Sequence, residues 1–320
     1  MPQDASWDNP LVLDYPITDH PFYNWLIYGY GLPIADFALA AGLARRRGAA
    51  SLATAFEGGA VALGFVFLGL EVRQLFHPAA PGQGAFSSLE VATLAIAWLV
   101  LGLGLTSAAD TPAFLRRPSL DVGGKVVLSL AGLVELIGLV VILNPLFAHE
   151  AVGDAPVFNR LLVSYGAPAL LLALAGTTFG RRRDAFAAAV AWSGALFLAF
   201  LLVTLEVRQA FHGTYLDTGG STTAERYAYS AAWLVFGILL LAAGVARKGR
   251  ALRYASLGVM LLTVLKVFLY DARGLTGLYR VASFFGLGVA LLGLAWAYQR
   301  FVFREEEAVV EAEAAEREGL

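Results

Sequence analysis

The sequence predicts an all-α integral membrane protein with about nine transmembrane helices, and two observations carry this prediction. First, 58% of the 320 residues are hydrophobic and only 15% are charged. Soluble domains have about 25% charged residues, so a globule of this composition has too few polar groups to face water. Second, the apolar residues form long continuous runs rather than short alternating segments. A soluble enzyme and a disordered chain are therefore excluded as descriptions of the whole molecule.

Charge and cysteine content exclude further classes of function. The formal net charge of −2 gives no electrostatic footprint for nucleic acid, so no nucleic-acid partner is predicted. The chain has no cysteine, which excludes disulfides, thiolate metal sites and cysteine nucleophiles. No segment has the HExxH or HxxxH spacing of a zinc site, and neither a metal nor a cofactor is predicted.

Each predicted span is long enough to cross a bilayer, whose hydrocarbon core of about 30 Å needs roughly 20 helical residues. Helices are expected because a helix satisfies its own backbone in lipid. The predicted spans are 22–44, 52–76, 88–108, 122–143, 157–179, 185–211, 223–246, 252–270 and 277–302. The remaining segment, 305–320, is acidic and rich in alanine, and we expect it to extend the last helix into the cytoplasm.

Basic residues follow every second predicted span. They cluster at 45–47, 116–117, 181–183, 247–253 and 300–304. Loops enriched in Lys and Arg remain cytoplasmic, so the N-terminus is predicted outside and the C-terminus inside, which nine spans allow. The first 21 residues lack the features of a signal peptide, so the first span is expected to direct insertion. The predicted location is the bacterial inner membrane.

An internal duplication is the strongest pattern in the sequence. The segment LEVRQ at 70–74, with Phe76 and His77, recurs at 205–209 with Phe211 and His212, an offset of 135 positions (206 − 71). The same offset aligns further pairs of polar, aromatic or proline residues: Asn24 with Asn159, Tyr30 with Tyr165, Pro33 with Pro168, Glu90 with Glu225 and Trp98 with Trp233. Shared membrane composition would not align so many polar residues in one register.

The duplication predicts two parallel four-helix repeats, related by a pseudo-two-fold axis along the membrane normal, followed by one unpaired helix. The predicted units are a first repeat at 1–143, a second repeat at 144–270, a final helix at 271–304 and the acidic tail.

The same motifs resemble a known family. Asn-Pro, Pro-Val-Phe-Asn, Tyr-Gly-x-Pro and Leu-Glu-Val-Arg-x-x-Phe-His resemble the bacterial predicted membrane proteins of domain-of-unknown-function family 2339. The C-terminal KVF at 266–268 and LYR at 278–280 fit as well. The resemblance covers nearly the whole chain and implies a helical membrane fold built from such units. It implies no activity.

Ionisable residues within spans cost roughly 2.5–3.5 kcal/mol each and therefore mark candidate sites. The candidate catalytic residues are Glu71, Glu206, His77 and His212, with the carboxylates as general acid, base or proton-binding groups. The candidate binding residues lie at the same predicted outer level: Arg73, Arg208, Gln74, Gln209, Asn24, Asn159, Tyr30, Tyr165, Lys266, Asp271 and Arg280. At 100° per residue, Glu71 and Gln74 lie on one side of their helix, with Arg73 and His77 opposite.

Three classes of function remain open from the sequence, as does whether the protein is an enzyme. The first is an outward-facing polar cavity, flanked by Glu71 and Glu206, that binds or processes an envelope glycan, lipid-linked sugar or lipid. The second is a secondary transporter or channel, which Asp36, Glu57 and Glu135 keep open. The third is a structural scaffold, in which the motifs lock helix pairs and anchor at the interface. Membrane lipids are expected partners, and the oligomeric state is undetermined.

Overall fold

The structure is a computed structural model, and it describes residues 24–78, 84–109, 117–247 and 249–270 together with 285–289, 291–293, 295–296 and 299. Within these residues the chain is nearly all helical, and the β structure is an isolated antiparallel bridge between Ala151 and Tyr215. Eight of the described helical segments are long and apolar enough to cross a membrane. The predicted all-α membrane fold is therefore confirmed. The predicted ninth span lies mostly, and the acidic tail wholly, outside the described residues.

The helices follow the predicted spans, but α1 and α5 begin ten residues after the predicted starts at 22 and 157, each behind a short π-helical turn. In chain order they are α1 Leu32–Arg46, α2 Ala50–Phe76, α3 Ser88–Ala108, α4 Pro118–Val134, α5 Ala167–Arg181, α6 Ala185–His212, α7 Thr223–Ala246 and α8 Arg250–Leu269. Helix α4 begins at Pro118, before its predicted start at position 122. Pro118 occupies its first position, where the missing N–H would have no partner in any case.

Two short π-helical turns precede α1 and α5 at matching positions of the duplication. They are Ile27–Gly31 and Leu162–Gly166, and Pro33 and Pro168 follow them at matching positions. A proline within a helix has no N–H to donate, and its ring clashes with the carbonyl four residues earlier. The wider turn before each proline accommodates this break, so the continuous spans begin at Ile27 and Leu162. A third π-helical turn, Glu135–Ile142, continues α4.

The chain divides into two compact units. The first is Met1–Leu202 with Gly213–Asp217, and the second is Val203–His212 with Thr218–Leu320. In the first unit, the core includes Leu99, Leu128 and Phe179, with small alanines between them. In the second, Met260 packs with Leu241 and Leu257. The boundary predicted at 143/144 separates the two copies of the sequence duplication, not these compact units, and it stays a prediction.

Close approach of small residues joins α3 to α4. A Cβ on Gly102 would lie 2.9 Å from the Gly124 carbonyl oxygen, and a Cβ on Gly124 would lie 2.8 Å from the Gly102 oxygen. Both contacts are too short for any side chain, so both positions require glycine. Membrane helices lack a hydrophobic drive to associate and commonly pack through small residues in this way.

Candidate functional site

A buried ion-pair network joins the end of α2 to the start of α3. The Arg73 guanidinium donates to Glu90 Oε1 at 2.8 Å and to the Gly84 carbonyl at 2.6 Å. His77 Nε2 lies 3.1 Å from the other Glu90 oxygen. We call Arg73, His77, Gly84 and Glu90 the first clamp, because together they hold the segment before α3 against the end of α2.

The second unit contains the same network, which we call the second clamp: Arg208, His212, Gly219 and Glu225. Arg208 donates to Glu225 Oε1 at 2.9 Å and to the Gly219 carbonyl at 3.1 Å. His212 Nε2 lies 3.0 Å from the second Glu225 oxygen. Each residue of the second clamp is related to its counterpart in the first by the offset of the duplication.

The glycine of each clamp adopts a conformation that other residues rarely take. Gly84 has φ +90° and Gly219 has φ +72°. A Cβ on Gly84 would also lie 2.7 Å from the His77 ring, and a Cβ on Gly219 would lie 3.3 Å from the His212 ring. Positive φ turns each glycine carbonyl toward the arginine while leaving room for the histidine.

The carboxylate of each clamp is placed by a helix cap. Ser87 and Thr222 are the N-caps of α3 and α7, and each side chain accepts the backbone N–H of the glutamate three residues later, at 3.2 and 3.1 Å. The Glu225 carboxylate in turn accepts the Thr222 N–H at 3.3 Å, which completes a capping box. The sequence S/T-x-x-E before an apolar run therefore fixes where the glutamate lies.

Glu90 and Glu225 are visible in the sequence as matched positions of the duplication, but the predicted site residues do not include them. Gly84 and Gly219 lie at the same offset and are not among the predicted residues either. Two sequence signals point to these four residues: the capping pattern before each helix, and a glycine aligned in the two loops.

A second polar cluster lies on the opposite side of α2. Asn24 Nδ2 donates to the two Glu71 oxygens at 3.0 and 3.1 Å and to Gln74 Oε1 at 2.8 Å. Asn24 also accepts the Leu26 N–H and so starts the first span. Glu71 and Gln74 thus face the start of the first span while Arg73 and His77 face α3, as the helical spacing predicts. Glu71 is only 2% exposed.

The matching asparagine of the second copy makes the same local cap, since Asn159 Oδ1 accepts the Leu161 N–H at 2.8 Å. Gln209 is buried and Glu206 is half-buried in the last turns of α6. Tyr165 is buried and donates to the Leu139 carbonyl at 2.9 Å, which ties the π-helical turn before α5 to the one after α4. Tyr30 is half-buried against Leu26 and Leu70.

The other predicted binding residues belong to the C-terminal part of the chain. Lys266 donates to the Arg226 carbonyl and to Ser230 Oγ, both at 2.7 Å. Its ammonium also lies about 6 Å from the rings of Tyr229 and Trp233. Asp271 and Arg280 lie outside the described residues. The shared cavity predicted between Glu71 and Glu206 stays a prediction.

The opposite helix ends of the first unit carry their own ion pairs. Arg45 donates to Glu57 at 2.5 Å, and Ser119 donates to the same carboxylate. Lys125 contacts Asp121 at 2.8 Å and Asp184 at 2.7 Å. The hydrogen bond from Lys125 lowers the pKa of Asp184. In the first of these pairs, Arg45 supplies the counter-charge of Glu57 in the N-terminal part of α2.

The chemistry of the clamps is that of tightly held charges. Arg73 and Arg208 are 7% and 9% exposed, and the carboxylate facing each of them is at most 1% exposed. Within the described residues, no three His, Cys, Asp or Glu side chains are grouped to hold a metal ion.

Comparison with known proteins identifies the family. A family model described as a predicted membrane protein (DUF2339) matches residues 5–301. No curated protein and no solved structure matches the chain. The family match spans nearly the whole sequence, including both clamps and all eight described membrane-spanning helices, so the chain belongs to the DUF2339 family of predicted membrane proteins.

Proposed function

We propose that the protein is a multi-pass scaffold of the bacterial inner membrane, in which the clamped segments 84–87 and 218–222 form docking sites for other envelope components. One observation carries the proposal: in each clamp an arginine and a histidine bind the same buried glutamate, and the arginine also binds a loop carbonyl. Groups engaged in this way hold the protein's own loop. An anionic substrate would have to displace a buried carboxylate to reach either arginine.

Energetics support a structural role. Removing one member of a buried ion pair typically costs about 3–5 kcal/mol, because the remaining charge has no compensation. Segments 84–87 and 218–222, which the clamps hold, also present their exposed residues to a partner at low entropic cost. Ala85, directly after the first clamp glycine, and Ser221, shortly after the second, are exposed residues of this kind.

The orientation that this function needs follows from the basic clusters. If the connections at 45–47 and 181–183 are cytoplasmic, the clamp loops are external. A reporter fused after Arg47 should read cytoplasmic, and one inserted at Thr218 should read external. The reverse result at either site would contradict the proposed orientation.

A second candidate is the binding or processing of an envelope glycan, lipid-linked sugar or lipid at the outer face. The cluster of Asn24, Glu71 and Gln74 favours it, because there a carboxylate meets a neutral amide, on the opposite side of α2 from Arg73. Such a carboxyl can exchange a proton with a bound substrate, and Glu206 is its sequence counterpart. Burial of Glu71 means that this activity requires an opening movement.

Complementation of a deletion strain separates the two candidates. The double variant E71Q/E206Q keeps side-chain shape but removes both candidate acids. The double variant A85E/S221E changes the exposed surface beside the clamps without replacing any clamp residue. The scaffold proposal expects E71Q/E206Q to restore the wild-type envelope phenotype and A85E/S221E to fail, with all proteins at equal abundance in the membrane. The opposite pattern would favour the glycan or lipid candidate and overturn the scaffold.

A further inference from the structure

A cleft of about 600 Å³ lies within the first unit, between α4, α5 and α6. This volume is within the range of about 300–1,000 Å³ that is typical of small-molecule sites. Its walls are largely apolar, and Phe186, Val190 and Phe197 at its α6 side are exposed. These residues belong to a helix long and apolar enough to cross a membrane, so we infer that the cleft opens toward the lipid.

Glu135 is the polar group buried in this cleft. It is 2% exposed, and neither of its carboxylate oxygens has a hydrogen-bond partner among the described residues. The 17 residues of α4 precede it, which places it roughly 25 Å along the helix from Pro118 and within the hydrocarbon region. A buried carboxylate without a partner is strongly disfavoured, and ionisable groups kept at such depth usually serve a function.

The other charged residues of the cleft are already paired. Lys125 contacts Asp121 and Asp184, and Arg182 contacts Asp121 at 2.9 Å. Two cations and two carboxylates therefore offset each other where α4 and α6 begin. Of the two acidic residues that line the cleft, Asp184 has its counter-charge, whereas the carboxylate oxygens of Glu135 are buried behind the cleft wall without a hydrogen-bond partner among the described residues.

The charged residues that α4 and the π-helical turn after it bring to or near the cleft occur in only one of the two sequence copies. At the offset of the duplication, the positions matching Asp121, Lys125 and Glu135 hold Ser256, Met260 and Tyr270. The clamps, in contrast, keep every charged residue in both copies. Glu135 is therefore not needed to build the repeated pattern of helices, and its presence requires a separate explanation.

We propose that the cleft binds a lipophilic organic monocation, whose apolar or aromatic body fills the cleft and whose charge lies beside Glu135. The apolar walls match such a body, and the carboxylate supplies the single counter-charge. Phe186 and Phe197 add aromatic surface of the kind that attracts organic cations. A lipid chain would cover the same walls but leave Glu135 without a partner. This site is separate from the clamps and does not depend on the scaffold proposal.

Binding of radiolabelled tetraphenylphosphonium to the purified full chain in phosphatidylcholine nanodiscs tests the proposal. Tetraphenylborate has the same shape and the opposite charge, so it controls for binding by hydrophobicity alone. We expect saturable binding of the cation at one site and at least tenfold weaker binding of the anion. The E135Q variant, which keeps the side-chain shape, should weaken cation binding at least tenfold.

A second variant blocks the cleft by volume. An added Cβ at Gly132 meets no atom within 4 Å, so G132L can fold with its side chain in the cleft and should exclude the cation. Gly104 on α3 is exposed, has the same open surroundings and does not line the cleft, which makes G104L the matched control. G104L should bind tetraphenylphosphonium like the wild type.

Several results would overturn the proposal. The wild type could show no saturable binding of tetraphenylphosphonium, or it could bind tetraphenylborate equally well. E135Q could also bind the cation with the affinity of the wild type. Native mass spectrometry adds another: a lipid retained equally by wild type and E135Q but lost from G132L would assign the cleft to a lipid chain. If G132L does not fold, the comparison of E135Q with wild type decides, because the substitution removes none of the described hydrogen bonds.

Discussion

The two clamps have the same geometry but different surroundings. The arginine–glutamate distances are 2.8 and 2.9 Å, and the histidine–glutamate distances are 3.1 and 3.0 Å. In the first clamp, Arg73 lies 4.3 Å from the centre of the Phe86 ring. In the second, Tyr229 adds a hydrogen bond to Glu225 at 3.0 Å. The sequence has Ser221 and Leu94 at the corresponding positions.

The two clamps share the residues that form the ion pairs but differ in the residues that cover them. The charged residues and the glycine are identical in the two copies, so the ion-pair geometry depends on them. The covering residues differ: the first copy shields its arginine with an aromatic ring, and the second supports its glutamate with a phenol. Both contacts reduce the free-energy cost of burying the charges. The Phe86 ring stabilises the Arg73 cation, and the Tyr229 hydroxyl stabilises the Glu225 anion.

The largest expected effect comes from removing the shared carboxylate. E90A and E225A should each destabilise the protein by about 3–5 kcal/mol, because an arginine is left buried without its counter-charge. Hydrogen exchange at the amides of the α3 and α7 N-termini would show which loop opens. Equal and small effects, below about 1 kcal/mol, would mean that the clamps are weak surface pairs.

The clamp glycines should show a smaller and unequal effect. G84A and G219A both force an alanine into positive φ, which costs about 1–2 kcal/mol. G84A should be the worse of the two, because its Cβ would lie 2.7 Å from the His77 ring, whereas in the second clamp the distance is 3.3 Å. Thermal unfolding of the two variants in the same detergent measures the difference. A more harmful G219A would contradict this ranking.

The phenol of the second clamp gives the next effect. Y229F removes one hydrogen bond to Glu225 but keeps the ring, and it should cost about 1 kcal/mol. The reciprocal change, L94Y, offers Glu90 the missing donor and should be neutral or stabilising if α3 has room for the ring. Hydrogen exchange at the α7 N-terminus should rise in Y229F, while exchange at the α3 N-terminus should not.

The sequence predicts the fold because composition and run length alone require membrane helices. The sequence also predicts that Glu71 and Arg73 lie on opposite sides of α2, because successive helical residues are rotated by about 100°. It does not predict the partner of Arg73, because that contact depends on the loop bringing the α3 cap back to α2. The cleft is also not predictable: Glu135 is visible as a carboxylate within a span, but its missing partner follows from how three helices pack.

The smallest expected effect concerns the aromatic ring of the first clamp. Phe86 is 52% exposed and covers the Arg73 guanidinium, so F86A should cost about 0.5–1 kcal/mol, the range for a cation–π contact at an exposed site. The exchange S221F, at the matching exposed position, places a ring in the second loop beside Arg208. If the two loops have equivalent geometry, S221F should gain a similar amount, measured as a higher unfolding temperature. F86A without effect, together with a destabilising S221F, would show that the two loops differ in shape as well as in sequence.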